Sequence, residues 1–134
     1  MFVEQIYTGC LSQASYFIES GGESAIIDPI REVDVYIEKA KTRNSKIKYI
    51  FQTHFHADFV SGHLELAKLT NAEIVFGPNA TTTYQCIIAS NGQEFSLGDL
   101  IFGRYLSCIY FIQIWPVEFT RGIKQNLMEN SDTI

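Results

Sequence analysis

The sequence predicts an α/β (α+β) fold: a mixed β-sheet with helices packed on one of its faces. Short apolar runs bounded by turn residues alternate with two segments of helical periodicity, which indicates strands and helices in one layered domain. The 134 residues correspond to about one ordinary domain, and a hydrophobic content of 46% is enough to form a buried core.

The first third of the chain is predicted to form three strands. Residues 2–7 and 15–19 are the first two, and Gly21-Gly22 is a hairpin-type turn signal. The third strand, 24–27, is short and almost wholly apolar, as is typical of a buried strand. It must end at Asp28, because Pro29 cannot donate to a β-ladder and restricts the residue before it.

A strand–helix–strand unit follows. Residues 33–41 place their apolar side chains near one helical face, and 47–51 form another apolar strand. A right-handed crossover would make the strands on either side of this helix parallel. Asp28 and His54 are then expected at the same carboxyl edge of the sheet, where α/β folds usually bind ligands.

The pattern continues to about residue 100 and then changes. A helix is predicted over 64–69, beginning near Ser61, and strands over 73–76, 82–89 and 93–99. Beyond that point, Ile101 to Trp115 is rich in apolar residues but has neither strand alternation nor a helical stripe. This segment is too short for a membrane span of about twenty residues, and it contains Arg104.

Charge and cysteine content exclude several classes of protein. The net charge of −5, with dispersed basic residues, argues against nucleic acid as a partner, and no segment indicates a membrane partner. The three cysteines are widely spaced, no CxxC occurs, and no signal-like segment opens the chain. A cytoplasmic location is therefore predicted rather than a secreted, disulfide-bonded one.

All three histidines lie in the segment 52–63, directly after a predicted strand. Residues two apart in an extended chain point the same way, so His54, His56 and Asp58 can converge as the strand ends. Such a group, with Asp28 at the neighbouring strand end, is typical of a metal site. The alternative is a loop whose polar side chains face water, with His63 capping or decorating the following helix.

The segment Thr53-His54-Phe55-His56-Ala57-Asp58 resembles the first metal motif of the metallo-β-lactamase superfamily, written HxHxDH. Its continuation through Ala67 resembles the branch that contains persulfide dioxygenases (the ETHE1-like sulfur dioxygenases) and their rhodanese fusions. Ile26-Ile27-Asp28-Pro29, Gly77-Pro78 and the segment 95–99 also fit. The resemblance covers residues 1 to about 100, and it implies one half of an αββα sandwich.

The resemblance also implies roles for the site residues. His54, His56 and Asp58 would lie at the metal, with Asp58 as the catalytic residue. In an iron enzyme of this branch, His54 would be the ligand, while His56 and Asp58 would orient water or ligands. The remaining side chains, Asp28, Thr53 and His63, would support the site structurally without binding the metal.

The sequence departs from the family pattern at Phe59, where zinc hydrolases of the superfamily usually carry histidine. Phenylalanine cannot bind a metal, which disfavours a two-zinc site and is compatible with the single iron of the ETHE1-like branch. The family also has a further metal-binding histidine and a ligating aspartate downstream. No histidine follows His63, and Asp132, the only aspartate after Asp99, lies in the C-terminal tail.

The predicted organisation is therefore an N-terminal half-sandwich over residues 1–100 and an atypical segment over 101–134. The apolar face that a second half would bury needs a cover. Three alternatives are open: the segment 101–115 is a replacement cover, it is a frameshifted continuation, or a homodimer buries the face.

Three functions are compatible with these residues. The first is a persulfide dioxygenase that uses one Fe(II) to oxidise glutathione persulfide, or another thiol persulfide, to sulfite. The second is a zinc-dependent hydrolase of the glyoxalase II type, in which Asp58 would be the base or a ligand of a second metal ion. The third is a non-catalytic fragment, because downstream ligands are missing, so whether this chain is an enzyme stays open.

Overall fold

Two β-sheets and two helices make up the part of the chain that the computed structural model describes, residues 1–11, 13–57, 59–105 and 111–116. The strands are β1 (Phe2–Thr8), β2 (Gln13–Ser20), β3 (Glu23–Ile27), β4 (Lys46–Phe51), β5 (Glu73–Phe76), β6 (Ile87–Ile88), β7 (Glu94–Leu97), β8 (Leu100–Tyr105) and β9 (Phe111–Pro116). The α-helices are α1 (Asp34–Thr42) and α2 (His63–Thr70), and a short 3-10 helix spans Gly9–Leu11. Neither of these helices combines the length and apolar character needed to cross a membrane. The cytoplasmic location stays a prediction.

The larger sheet has the order β1-β2-β3-β4-β5-β6 and is mixed, as predicted. Strands β1 to β3 pair antiparallel, and β3 to β6 pair parallel. The crossover through α1 makes β3 and β4 parallel neighbours, with Ile27 opposite Phe51 in the register. This register brings the residues that follow both strands to one edge, so the prediction that Asp28 and His54 lie at the same edge of the sheet is confirmed.

Alternating side chains give the larger sheet two buried faces. On β3, Ile26 points to the helices, whereas Ala25 and Ile27 point to the smaller sheet. On β4, Ile50 points to the helices and Phe51 points to the smaller sheet. A strand that is buried on both sides must be apolar at every position, which explains the continuous apolar runs in the sequence.

Both helices cover one face, which confirms the predicted arrangement. On that face, Tyr36 of α1 is fully buried, and its hydroxyl bonds Ser15 Oγ at 2.7 Å and accepts from the backbone N–H of Ile30 at 3.0 Å. Leu66 of α2 is fully buried in the same cluster. These contacts fix both helices against the sheet and hold the Asp28–Ile30 turn beside them.

The smaller sheet, ordered β7-β8-β9, covers part of the other face. Phe95 and Phe102 pack on Phe51, with ring centroids 5.6 and 5.2 Å away. Strand β8 begins at Leu100, so residues on both sides of the expected boundary near residue 100 belong to one antiparallel sheet. Residues 117–134, including Asp132, lie outside the described residues.

One strand prediction was wrong. Instead of a strand over 82–89, only Ile87–Ile88 pair with β5. Thr82 Oγ1 donates to the carbonyl of Tyr84 at 2.9 Å and lies 3.2 Å from Cys86 Sγ. Such local side-chain bonds compete with a β-ladder, so the β-branched run remains outside the sheet.

Candidate metal centre

The site lies where β3 and β4 end side by side. The backbone N–H of Asp28 donates to the carbonyl of Phe51 at 2.9 Å, which extends the pairing by one step beyond the strands. Asp28 then adopts a left-handed conformation, with φ of +50°. A non-glycine residue in this region is uncommon, although aspartate tolerates it better than most, and it turns the chain sharply before Pro29.

The buried Asp28 carboxylate organises the loop after β4. Its Oδ1 accepts from the backbone N–H of Thr53 at 2.8 Å, and its Oδ2 accepts from the Thr53 hydroxyl at 2.5 Å. Oδ1 also lies 3.2 Å from His56 Nε2. Because both oxygens are engaged with the loop, these contacts favour the bracing role for Asp28 over direct binding of a metal.

The Thr53 hydroxyl links the Asp28 carboxylate to His54. Its hydroxyl hydrogen goes to Asp28, so at 2.8 Å from His54 Nδ1 the hydroxyl oxygen can only accept. The proton of a neutral His54 therefore sits on Nδ1, and the lone pair of Nε2 is free. His54 is exposed, so its Nε2 is accessible to an ion.

His56 is oriented directly by the same carboxylate. Its side chain is only 2% exposed, and an Nε2–H facing Asp28 Oδ1 leaves the lone pair on Nδ1. That Nδ1 is buried and has no hydrogen-bond partner among the described residues. An imidazole nitrogen buried without a partner is costly in an apo site and is what a metal ion would satisfy.

Together these groups form a cluster that could hold a metal ion. Ligand atoms of Asp28, His54 and His56 all lie within 4.8 Å of one another, and the two imidazole centroids are 4.2 Å apart. Two imidazoles with a carboxylate behind them form a donor set suited to zinc or iron. Asp58, the third predicted ligand and catalytic residue, lies outside the described residues, so its role stays a prediction.

The loop is attached to the turn after β3 by a second set of bonds. Ser61 Oγ accepts from Gln52 Nε2 at 3.0 Å and donates to the carbonyl of Pro29 at 3.0 Å. The backbone N–H of Gly62 donates to the same carbonyl at 3.1 Å. Both ends of the histidine-bearing loop are therefore fixed to β3, which sets the position of His54 and His56.

This geometry agrees with the comparison to protein families, in which the profile described as "Metallo-beta-lactamase superfamily" matches residues 8–84. The chain belongs to the metallo-beta-lactamase superfamily. The match includes β2 to β5, both helices and the whole loop, so the superfamily assignment rests on the part of the chain that builds the candidate site.

Curated relatives include proteins named hydroxyacylglutathione hydrolase. The chain is 32% identical over 87 residues to a cytoplasmic hydroxyacylglutathione hydrolase of Arabidopsis thaliana, covering 63% of this chain and 33% of the relative. It is 35% identical over 68 residues to the hydroxyacylglutathione hydrolase of Tolumonas auensis, covering 51% of this chain and 26% of the relative. The match thus spans about a third or less of the length of these two relatives.

Solved structures support the same fold. A metallo-beta-lactamase from Staphylococcus aureus superposes with a TM-score of 0.77 at 29% identity, covering 87% of this chain and 39% of that chain. ETHE1 from Myxococcus xanthus superposes with a TM-score of 0.71 at 25% identity, covering 78% of this chain and 47% of that chain. The predicted half of a metallo-beta-lactamase sandwich and the predicted resemblance to the ETHE1 branch are therefore confirmed.

Phe59 occupies the position at which the superfamily motif HxHxDH has its last histidine. Its ring lies 4.3 Å from the His56 ring, centroid to centroid, and packs against the buried cluster under the helices. An aromatic hydrocarbon side chain offers no lone pair to an ion. It lies against the buried His56 imidazole and provides no metal ligand at this position.

His63 lies apart from the group of ligand atoms. Its Nε2 is 2.8 Å from the Tyr84 hydroxyl, and its ring meets Phe76 edge-on at 5.9 Å. Burial lowers the pKa of His63, and the charge of the nearby His56 lowers it further. The sequence gives no signal for Tyr84, because it follows a threonine run that is typical of a strand and belongs to no motif.

Proposed function

We propose that this chain forms the N-terminal part of a mononuclear persulfide dioxygenase, which oxidises a thiol persulfide to sulfite at iron. Membership of the metallo-beta-lactamase superfamily and the candidate metal cluster support a metal-dependent role. The observation that carries the finer proposal is Phe59, packed on His56 where a ligand of a second metal ion would stand.

The similarity to ETHE1 from Myxococcus xanthus supports the same proposal, since it extends over 78% of this chain. Bound iron would supply the redox chemistry that adds oxygen to sulfur. In the overall reaction, one persulfide, one dioxygen and one water give one thiol, one sulfite and two protons. Glutathione persulfide is the substrate that we propose, with other low-molecular-weight thiol persulfides as alternatives.

The residues of this chain would hold and orient the participants. His54 Nε2 and His56 Nδ1 are the nitrogen atoms that their hydrogen bonds leave free for the metal. Asp28 keeps both rings in these tautomers, directly for His56 and through the Thr53 hydroxyl for His54, and Phe59 packs against the His56 ring. Asp58 is the proposed catalytic carboxylate, as the motif implies.

The second candidate is a zinc-dependent thioesterase of the glyoxalase II type, in which metal-activated water attacks a thioester carbonyl. Two curated relatives named hydroxyacylglutathione hydrolase, at 32% and 35% identity, favour it. Phe59 argues against it, because the two-zinc version of the site needs a ligand there.

The deciding experiment measures oxygen consumption and sulfite formation by the purified chain loaded anaerobically with Fe(II) and mixed with glutathione persulfide. We expect persulfide-dependent oxygen uptake, with sulfite formed in equal amount. The zinc-loaded chain, assayed with a hydroxyacylglutathione thioester, is the parallel test. Absence of oxygen uptake with iron, together with thioester hydrolysis by the zinc form, would exclude the dioxygenase and establish the hydrolase.

A matched variant identifies the role of Phe59. Phe59→His restores the motif histidine, so we expect it to raise the zinc bound per chain and to lower persulfide-dependent oxygen uptake. If Phe59→His leaves metal stoichiometry and both activities unchanged, Phe59 does not determine the type of centre. If neither metal binds to the wild-type chain more tightly than the millimolar range, the third alternative, a non-catalytic fragment, describes this chain.

A further inference from the structure

Strand β1 forms one edge of the larger sheet. It pairs with β2 on one side, and no strand of the described residues lies on its other side. In an antiparallel strand, the N–H and C=O groups of alternate residues point to opposite sides, so half of those in β1 point away from β2. Such a row of groups along a strand of seven residues is a template for pairing with another strand.

The sequence of β1 lacks the devices that usually protect such an edge. Exposed edges are commonly shielded by lysine, by proline, by a β-bulge or by a very short strand. β1 contains neither lysine nor proline, and its register with β2 is unbroken over all seven residues. At the other edge of the sheet, β6 consists only of Ile87–Ile88. The long, unprotected edge of the larger sheet therefore belongs to β1.

The one charged side chain of β1 is compensated within the chain. Phe2 and Ile6 pack on the cluster under the helices, and Glu4, which lies between them in the alternation, points the same way. Its carboxylate accepts a hydrogen bond from Lys39 Nζ at 2.7 Å. An incoming strand would therefore meet no unpaired charge on the helix side of β1.

The other face of β1 carries exposed apolar side chains. Val3 lies opposite Ile18, which belongs to the buried cluster between the two sheets. Gln5 and Tyr7 follow at alternate positions and point the same way as Val3. Val3 and Tyr7 are exposed, and Tyr16, opposite Gln5 on β2, is exposed as well. The row on β1 is thus apolar, amide, apolar, a pattern that is the same in both directions along the strand.

We infer that β1 pairs antiparallel with β1 of a second copy of this chain, about a two-fold axis at Gln5. In this register Val3 lies opposite Tyr7 of the second copy, and Tyr7 lies opposite its Val3, so each exposed apolar side chain meets another. Gln5 faces its own equivalent, where the two side-chain amides can donate to and accept from each other. Because the same strand serves both copies, the pairing closes as a dimer.

The neighbouring registers are less favourable. An axis at Glu4 sets that carboxylate directly opposite its equivalent in the second copy, and like charges directly opposite each other are destabilising. An axis at Ile6 places Tyr7 opposite Gln5 and leaves Val3 opposite Gly9, which lies beyond the end of β1. The axis at Gln5 alone pairs both exposed apolar side chains and keeps the carboxylates out of direct opposition.

Disulfide cross-linking tests this register. Gln5→Cys places two thiols directly opposite each other, with Cα atoms about 4.5–5.5 Å apart, a separation that a disulfide can span. Val3→Cys is the control, because its two copies would be about 14 Å apart along the strands. Both variants are made in a Cys10→Ser chain, since Cys10 is exposed. On mild oxidation we expect a covalent dimer of Gln5→Cys, and no more dimer from Val3→Cys than from the Cys10→Ser parent.

Sedimentation equilibrium of the purified chain tests the dimer itself. We expect the wild type to dimerise reversibly as its concentration rises. Tyr7→Lys should raise the dimer Kd at least about tenfold, because lysine at a strand edge opposes pairing and the change occurs twice in each dimer. Leu69→Lys, at an exposed apolar position of α2, is the matched control and should leave the Kd within about twofold of the wild type.

Several outcomes would overturn the inference. The wild-type chain could stay monomeric at every concentration, or it could form open-ended assemblies in place of a dimer. Equal cross-linking of Gln5→Cys and Val3→Cys, or equal dimer Kd values for Tyr7→Lys and Leu69→Lys, would mean that another surface forms the dimer. Circular dichroism checks that Tyr7→Lys is folded, and if it is not, the cross-linking result decides. None of these measurements involves a metal, so their failure would leave the proposed function intact.

Discussion

Asp28 is the residue on which the geometry of the site depends most. Its carboxylate orients His56 directly and His54 through Thr53, and it does so from a left-handed backbone conformation at the end of β3. Strained backbone of this kind is commonly retained where function requires a particular side-chain position. One carboxylate therefore fixes the tautomers of both imidazoles before any ion arrives.

The first prediction concerns this carboxylate. Asp28→Asn keeps the size of the side chain but replaces one acceptor oxygen by a donor. It can no longer accept from the Thr53 hydroxyl, as Oδ2 does, while also accepting from the Thr53 N–H and His56, as Oδ1 does. We expect metal affinity to fall by about 10- to 100-fold, the usual effect of losing a group that orients a ligand. Competition with a chromogenic chelator measures the affinity.

Asp34→Asn, in the first turn of α1, is the matched control because it removes the same charge outside the site. Equal losses of affinity in Asp28→Asn and Asp34→Asn would mean that net charge, and not orientation of the imidazoles, determines metal binding.

The second prediction is a pH dependence of stability. The pKa of His63 is lowered in the folded chain by burial and by His56, so the unfolded state takes up its proton first as the pH falls. The free energy of unfolding of the metal-free chain should therefore decrease as the pH drops below about 6.5, the ordinary histidine pKa. Urea denaturation at several pH values measures it. His63→Gln should flatten the decrease; an unchanged pH profile in this variant would contradict the assignment.

At the scale of elements, the site depends on how closely α2 approaches the turn after β3. A Cβ atom on Gly62 would lie 2.2 Å from the carbonyl oxygen of Ile30 and 2.5 Å from Val33 Cγ1. Both distances are shorter than any real contact, so only glycine allows the start of α2 to lie against this turn. The close approach also places His63 beside the metal loop.

The third prediction follows from this contact. Gly62→Ala should destabilise the chain by about 1–3 kcal/mol, the usual effect of overpacking, and should weaken metal binding because the loop must shift. Chemical denaturation measures the first effect and chelator competition the second. In Gly9→Ala, the control, the new Cβ would have only an ordinary contact at 3.9 Å with Tyr7. A Gly62→Ala chain as stable as Gly9→Ala would refute the close packing.

Most elements were predictable because their sequence patterns reflect burial. The apolar runs of β3, β4 and β5 and the helical stripe of α1 follow directly from packing on both faces of the sheet. The strand prediction over 82–86 is wrong because threonine has high β-propensity, yet its hydroxyl can also bond locally. Strand β8 gave no signal, since Phe102 is buried while its neighbours do not alternate regularly in hydrophobicity.

The site was predictable in part. The HxHxD spacing and the proline after Asp28 located the cluster, because strand ends and alternation are local properties. The contact between His63 and Tyr84 was not, since it joins residues 21 positions apart through tertiary packing alone. The roles predicted for Asp58 and for a downstream ligand remain predictions.

At the scale of the whole molecule, the smaller sheet completes the core on the face opposite the helices. Phe102 is 1% exposed and stacks on Phe51 at an interplanar angle of 13°. The turn between β7 and β8 is held by Glu23, whose carboxylate accepts from the backbone N–H of Gly98 at 2.8 Å and pairs with Lys48. Packing of this kind favours the replacement-cover alternative for β8 over a frameshifted continuation.

The fourth prediction tests that alternative. Phe102→Ala should lower the free energy of unfolding by about 3–5 kcal/mol, as for other buried aromatic residues. Ile88→Ala, at a side chain that is 41% exposed, is the control and should cost much less. If Phe102→Ala is as stable as Ile88→Ala, residues after 100 do not contribute to the core.

The homodimer remains a proposal for the part of the larger sheet, on the face opposite the helices, that the smaller sheet does not cover. Val3 and Tyr7 of β1 alternate with Phe2 and Ile6, which pack on the helix side, and are 48% and 63% exposed. Apolar side chains at such an edge would be buried by a second copy of the chain.

The most direct test of the central claim, a metal centre built on His54 and His56, is calorimetric titration of the metal-free chain with Fe(II) and, separately, with Zn(II). We predict one ion per chain, bound more tightly than the millimolar range. His54→Ala should weaken this binding more than His63→Ala does, because His63 is bonded to Tyr84 and lies outside the cluster. Binding no tighter than millimolar, or equal losses in the two variants, would contradict the account.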